Sequence, residues 1–139
     1  MIIETNSDKD TFEFGKQLGE KAEPGTLICL DGDLGTGKTV IAKGIAAGLG
    51  VKEPVSSPTF TVIKEYTEGR LPFYHFDVYR IEDPLEMDEI GYEDYFYGNG
   101  VTVIEWSDMI KELIPEKAMK IRLVKDLANG FDYRRISVE

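Results

Sequence analysis

The chain has 139 residues, 42% apolar and 30% charged, and a formal net charge of −10. That length and balance exclude a disordered chain and predict one soluble domain with a true core, spanning residues 1–139. No apolar run reaches membrane-spanning length, and so acidic a surface is not expected to bind nucleic acid strongly by itself. The opening MIIETNSDKDTFEF lacks the basic-then-apolar order of a signal peptide, and the single Cys29 cannot form an internal disulfide, so a cytoplasmic setting is expected.

In chain order, residues 6–21 predict a helix capped at Asn6 or Ser7, with Thr11, Phe12, Phe14 and Leu18 on its apolar side. Pro24-Gly25 is a turn, and Leu27–Leu30 reads as a buried strand. Val40, Ile41, Ile45 and Leu49 then recur at helical spacing, with Gly48 or Gly50 able to end that helix. Between strand and helix, Gly32-Asp33-Leu34-Gly35-Thr36-Gly37-Lys38-Thr39 matches G-x-x-x-x-G-K-[ST], the phosphate-binding P-loop. Gly35 and Gly37 let the backbone curl so that successive N–H groups aim at one anion, and the helix dipole points the same way. Lys38 can reach the β- and γ-phosphates, and Thr39 can offer its hydroxyl to Mg²⁺.

Residues 51–61 form a polar loop whose Ser56, Ser57, Thr59 and Thr61 can bring hydroxyls near the phosphates. Phe60–Tyr66 and Leu71–Asp77 read as strands joined by the turn 67–70, with Pro72 marking an edge or a strand start. Residues 83–97 begin with Pro84 in the first helical position. They continue as an acidic helix with Leu85, Met87 and Ile90 inward, which ends at Gly91, followed by an aromatic turn carrying Tyr92, Tyr95, Phe96 and Tyr97. Val101–Ile104 is a second core strand running into Glu105 and Trp106, and Ser107–Ile114 is a short helix stopped by Pro115. Ala118–Val124 and Phe131–Val138 read as an antiparallel hairpin around Asn129-Gly130.

A P-loop site needs an acid at the end of a neighbouring strand to hold Mg²⁺ directly or through water. Asp77 and Glu105 both follow an apolar strand, and the residues alone do not rank them. His75, the only histidine, shares a strand face with Phe73 and Asp77 and suits a packing or hydrogen-bonding role. The absence of an Asn-Lys-x-Asp motif disfavours a GTPase. A partner-dependent ATPase, a small-molecule kinase and an ATP-gated binding module remain as alternatives, with Arg80 the nearest candidate for an arginine finger.

The ordered series GDLGTGKT at 32–39, SPTFTVIKEY at 57–66, HFDVYR at 75–80, DPLEMDEIGYEDYF at 83–96 and VIEWSD at 103–108 resembles the TsaE (YjeE-type) P-loop ATPases of bacterial tRNA threonylcarbamoyladenosine biosynthesis. The match covers residues 5–125. The resemblance implies an α/β fold, a P-loop NTPase-like mixed β-sheet flanked by helices, with antiparallel hairpins. It implies ATP and Mg²⁺ as cofactors, with Lys38 and the backbone of Gly35, Thr36, Gly37, Lys38, Thr39 and Val40 around the phosphates. Thr39 and Glu105 match the metal positions, Asp77 the family's other required acid, Ser57-Pro58-Thr59 the switch-like loop, and Trp106 a position important for activity. Lys38, Asp77 and Glu105 are thus the expected catalytic set. TsaD- and TsaB-like proteins are the implied partners and would handle the tRNA. Val40 departs from the family, which often carries a second Thr there.

Overall fold

The computed structural model describes residues 1–139. Seven strands, β1 (Ile2–Thr5), β2 (Leu27–Gly32), β3 (Ile63–Tyr66), β4 (Phe73–Asp77), β5 (Val101–Glu105), β6 (Met119–Lys125) and β7 (Arg134–Val138), form one sheet in the order β1-β7-β6-β2-β5-β4-β3. The central strand β2 runs parallel to β5 and β6, and β4 runs parallel to β5. The outer pairs β3–β4, β6–β7 and β1–β7 are antiparallel, so the sheet is mixed, with the two hairpins that the turn signals predict. No helix is long and apolar enough to cross a membrane.

Helices cover both faces, which is why the central strands read as unbroken apolar runs. On one face α1 (Asp8–Lys21) and α2 (Lys38–Leu49) cover Ile28, Leu30, Val101 and Val103. On the other, α3 (Glu86–Ile90), α4 (Tyr92–Phe96) and the 3₁₀ segment Ser107–Leu113 cover Leu27, Cys29, Phe76 and Ile104. Strand alternation sends neighbouring residues to opposite cores. Cys29, fully buried on the central strand, has its thiol pushed up to about 11, chiefly by that burial.

The α1–α2 contact is made by backbone. Gly15 and Gly19 of α1 face Gly44 and Gly48 of α2, and Cβ atoms at these four positions would stand 2.2–2.4 Å from carbonyl oxygens of the opposite helix. Thus the apolar side expected for α1 is incomplete: Thr11, Gly15 and Gly19 are its buried residues, while Phe14 and Leu18 pack only partly on the core. Ser7 caps the helix by accepting from the Asp10 N–H at 3.0 Å. Gly50, not Gly48, ends α2, because Gly48 is occupied by the contact with α1.

Other boundaries differ for local reasons. The strand expected from Phe60 begins at Ile63, since a turn closed by Val62 N–H donating to Pro58 O at 2.8 Å takes up 58–62 and leaves Phe60 exposed. The last strand begins at Arg134 rather than Phe131, which is also exposed. Helix α3 starts at Glu86, two residues past Pro84, and Leu85 faces solvent instead of the core. The aromatic turn is a helix, α4, whose Phe96 packs edge-on against Phe76 at 5.3 Å. β1 has no counterpart in the sequence reading; it pairs in register with β7, with Thr5 opposite Arg134.

Asp31, one residue before the P-loop, points away from it. Its carboxylate accepts from Ser107 Oγ and from the Asp108 N–H at 3.0 Å. Burial, the largest effect, raises its pKa above the ordinary value, against the hydrogen bonds that lower it. A folded pKa above the unfolded one means that Asp31 weakens the fold as pH rises through that window, and fully so above it. Asp31→Asn is therefore expected to compare more favourably with the parent chain at pH 7 than at pH 4 in urea unfolding. An equal difference at both pH values would remove Asp31 from the pH dependence.

Candidate functional site

The parallel strands β2, β5 and β4 end together, and their ends define one wall of a cleft of about 510 Å³. Gly35, Gly37, Lys38, Thr39, Val40, Ser57, Asp77, Glu105 and Trp106 line it, with Asp8, Lys125, Phe131 and Arg134 on the side of β6 and β7. Gly35 (φ 77°) and Gly37 (φ 104°) hold the left-handed conformation that glycine adopts freely. Their N–H groups donate to no protein acceptor, whereas the Thr36 N–H and Oγ1 are both spent on Asp33 O. The loop thus presents free donors at the start of α2, the arrangement that receives a phosphate.

Lys38 is buried and folded back, its Nζ donating to Gly32 O and Asp33 O at 2.8 Å each and lying 4.0 Å from the centre of the Trp106 ring. Burial lowers its pKa most, and the nearby Glu105, Asp31, Asp77 and Asp33 act in the opposite direction.

Glu105 and Asp77 are register partners on parallel strands, so two buried carboxylates stand side by side. Glu105 accepts from Thr39 Oγ1 at 3.0 and 3.2 Å, tying the first turn of α2 to the end of β5. It also meets His75 Nε2 at 2.6 Å. His75 Nδ1 has no partner, so the neutral ring with its proton on Nε2 is the tautomer that leaves no buried donor unpaired. This is the hydrogen-bonding role the strand position suggested. Asp77 accepts from Ser57 Oγ, from the Tyr79 N–H at 3.0 Å and, at a long 3.5 Å, from Thr59 Oγ1. The 51–61 loop is thereby latched onto an acid of the cleft.

The two non-glycine residues with positive φ, Val62 (70°) and Trp106 (65°), flank this region. Each is large or β-branched, so each stores backbone strain of about 1–3 kcal/mol at a place where geometry is over-determined by its surroundings. Val62 closes the loop that carries Ser57 and Thr59, and its carbonyl accepts from the Asp77 N–H at 2.8 Å. Trp106 meets Tyr79 with the rings tilted by 50° and their centres 4.7 Å apart, and Lys38 Nζ lies over its face.

Two residues depart from the sequence expectation. Arg80 is exposed with its guanidinium 4.6 Å from the Phe60 ring, and it does not line the cleft. Arg134, which the sequence reading did not single out, is buried in the cleft wall, with Nε donating to Thr36 O at 2.8 Å. Only its position at the start of a strand preceded by Asn129-Gly130 marks it in the sequence, which is too little to single it out.

A strand, a glycine loop with free amides, a helix led by Lys-Thr and an acid hydrogen-bonded to that Thr define a nucleotide-binding protein of the P-loop class. Comparison narrows the class: the family model described as threonylcarbamoyl adenosine biosynthesis protein TsaE matches residues 5–136, and the chain belongs to the TsaE family. The match runs past residue 125, where the sequence resemblance stopped, and so takes in Arg134. The chain is 46% identical over 133 residues to the tRNA threonylcarbamoyladenosine biosynthesis protein TsaE of Bacillus subtilis (96% of this chain, 81% of that one). It is 41% identical over 126 residues to the TsaE of Treponema pallidum (91% and 92%). The crystal structure of Bacillus subtilis YdiB superposes with a TM-score of 0.84 at 38% identity, covering 99% of this chain and 83% of that one.

Proposed function

We propose that this chain is a Mg²⁺-dependent ATPase subunit that supports threonylcarbamoyladenosine modification of tRNA, acting in the cytoplasm with TsaD- and TsaB-like partners. The observation that carries the reading is the Thr39–Glu105 hydrogen bond, which joins the P-loop helix to the neighbouring strand end inside a cleft with free loop amides. The relatives' names supply the biosynthetic setting.

The residues suit the nucleotide and the metal. Thr39 Oγ1 and the two carboxylates are hard oxygen donors. No group of three or more His, Cys, Asp or Glu forms a complete metal cage. That suits Mg²⁺, which is held through one or two carboxylates together with substrate phosphates. When bound, the ion neutralises charge developing on the phosphate oxygens. In this reading Gly35, Gly37, Thr39 and Val40 offer their backbone N–H groups to the phosphates, Thr36, whose N–H and carbonyl are already engaged, shapes the turn around them, and Lys38 moves from the Gly32 and Asp33 carbonyls to the transferring phosphate. Glu105 keeps the Thr39 hydroxyl oriented, and Asp77 orients the attacking water. Ser57 and Thr59 give the loop a way to register what occupies Asp77.

Weak turnover by the chain alone follows from the same geometry, since Lys38 is engaged within its own loop and Arg80 stands outside the cleft. The test is phosphate release from ATP with and without TsaD- and TsaB-like proteins. Turnover is expected to change when both partners are present. An unchanged rate counts against the reading, and phosphate transfer to a nucleoside or sugar faster than hydrolysis replaces it with a kinase.

A further inference from the structure

We propose that Arg134 is a positioning residue for the phosphate cradle, a cation in cis that sets the P-loop from the start of β7, two strands away from β2; this rests on the nucleotide-binding reading above. Arg134 is 8% exposed as a residue and its guanidinium forms no ion pair, whereas the close guanidinium–carboxylate contacts of the chain, those of Arg122 and Arg135, lie at the surface. A desolvated guanidinium without a carboxylate is costly unless carbonyls satisfy it. Three bonds do so: Nε to Thr36 O at 2.8 Å, and NH1 to Phe131 O at 3.0 Å and to Tyr133 O at 2.7 Å. NH2 makes no hydrogen bond within the protein, and the side chain lines the nucleotide cleft.

The bond to Thr36 has a consequence for the loop. In a trans peptide the carbonyl and the following N–H point in opposite directions. With the Thr36 carbonyl held toward Arg134, the Gly37 N–H is turned to the other side, where it donates to no protein acceptor. Gly37 has φ 104° and no side chain, so nothing on that residue itself holds the preceding peptide in place. Arg134 thus fixes a peptide that glycine leaves free to flip, and its charge remains for an anion to neutralise.

The two strand-end acids and Arg134 stand at opposite ends of the cleft. Asp77 and Glu105 stand at the β4 and β5 ends, where a divalent cation suits the charge, and Lys125 and Arg134 stand at the β6 and β7 ends, with Asp8 and Asp132 also on the lining. Arg134 therefore stands at the end of the cleft away from the two acids, and its effect is expected without the metal.

The experiment is calorimetric titration with ADP in EDTA, for the parent chain, Arg134→Gln, Arg134→Lys and Arg135→Gln, with circular dichroism showing each folded at the assay temperature. Arg134→Gln is expected to weaken ADP by about tenfold or more, the loss of one charge-assisted hydrogen bond network. Arg134→Lys keeps the charge but cannot fork across the carbonyls, and is expected to stay weak, with Arg135→Gln unchanged. A smaller loss in Arg134→Gln, or recovery by lysine to within threefold of the parent, overturns the proposal. A parent chain that binds no ADP overturns instead the nucleotide reading on which it rests. The parent chain also gives a readout that needs no variant. The Arg134 Nε–H resonance is expected to exchange slowly with solvent both free and ADP-bound, and its loss of protection on binding would show the pinning bond broken and the proposal wrong.

Discussion

Glu105→Gln is expected to lower ATP turnover, measured with the proposed partners present, by about 100-fold or more while leaving ADP affinity in EDTA within a few-fold. The substitution keeps the shape of the side chain and an acceptor for Thr39 Oγ1, but removes one of two adjacent carboxylates from the proposed metal end. Metal stabilisation of transition-state charge amounts to several kcal/mol, and each ~1.4 kcal/mol is tenfold in rate. Steady-state phosphate release and ADP titration separate the two effects. Glu105→Ala is the less clean variant, since it also leaves His75, whose Nδ1 is already unpartnered, with no acceptor for Nε2 in a dry core. Normal turnover in both Glu105→Gln and Asp77→Asn would take the acids out of the chemistry.

The second large effect lies outside the cleft. Gly44→Ala is expected to destabilise the fold by about 2 kcal/mol, and Gly44→Ala with Gly48→Ala by more, though less than additively. The new Cβ atoms would stand 2.3 Å from Phe12 O and 2.2 Å from Lys16 O, backbone atoms that no rotamer change can move aside. Overpacking costs about 1–3 kcal/mol, while Ala gains about 1 kcal/mol over Gly in helix propensity. The upper end of the cost applies because α1 and α2 must separate. One separation relieves both clashes, hence the non-additivity. Urea unfolding measures the loss, which is a large share of a typical 5–15 kcal/mol stability. Because α2 carries Lys38 and Thr39, nucleotide affinity should fall with it. Unchanged stability would mean that the two helices are not held at this distance.

How much the sequence reveals depends on how local each feature is. The P-loop is legible because its glycines, lysine and threonine lie within eight residues and act together. Asp77 and Glu105 are legible as acids at the ends of apolar runs, although only the fold shows that they are register partners. Arg134 is not legible: it acts on Thr36 across 98 positions of sequence, and a lone arginine at a strand start looks like any surface cation. Of the four glycines at the α1–α2 contact the sequence marks only Gly48, and as a stop signal; Gly15, Gly19 and Gly44 carry no signal of their own, because only the facing helix makes them a contact. The apolar side chains of Phe60 and Phe131 suggest strand starts and that of Leu85 an inward helix face, yet all three are exposed in turns that only the tertiary structure shows.

The buried thiol on β2 makes the centre of the sheet its own clock. Cys29 is the only cysteine, lies between the β5 and β6 pairings, and is fully buried, which keeps reagents away and pushes its thiol up to about 11, so that little of the reactive thiolate forms at neutral pH. A thiol reagent therefore marks a chain only when β2 has opened. Labelling rates with and without nucleotide would then time how often the strand that leads into the P-loop lets go of its neighbours, with no engineered probe in the molecule.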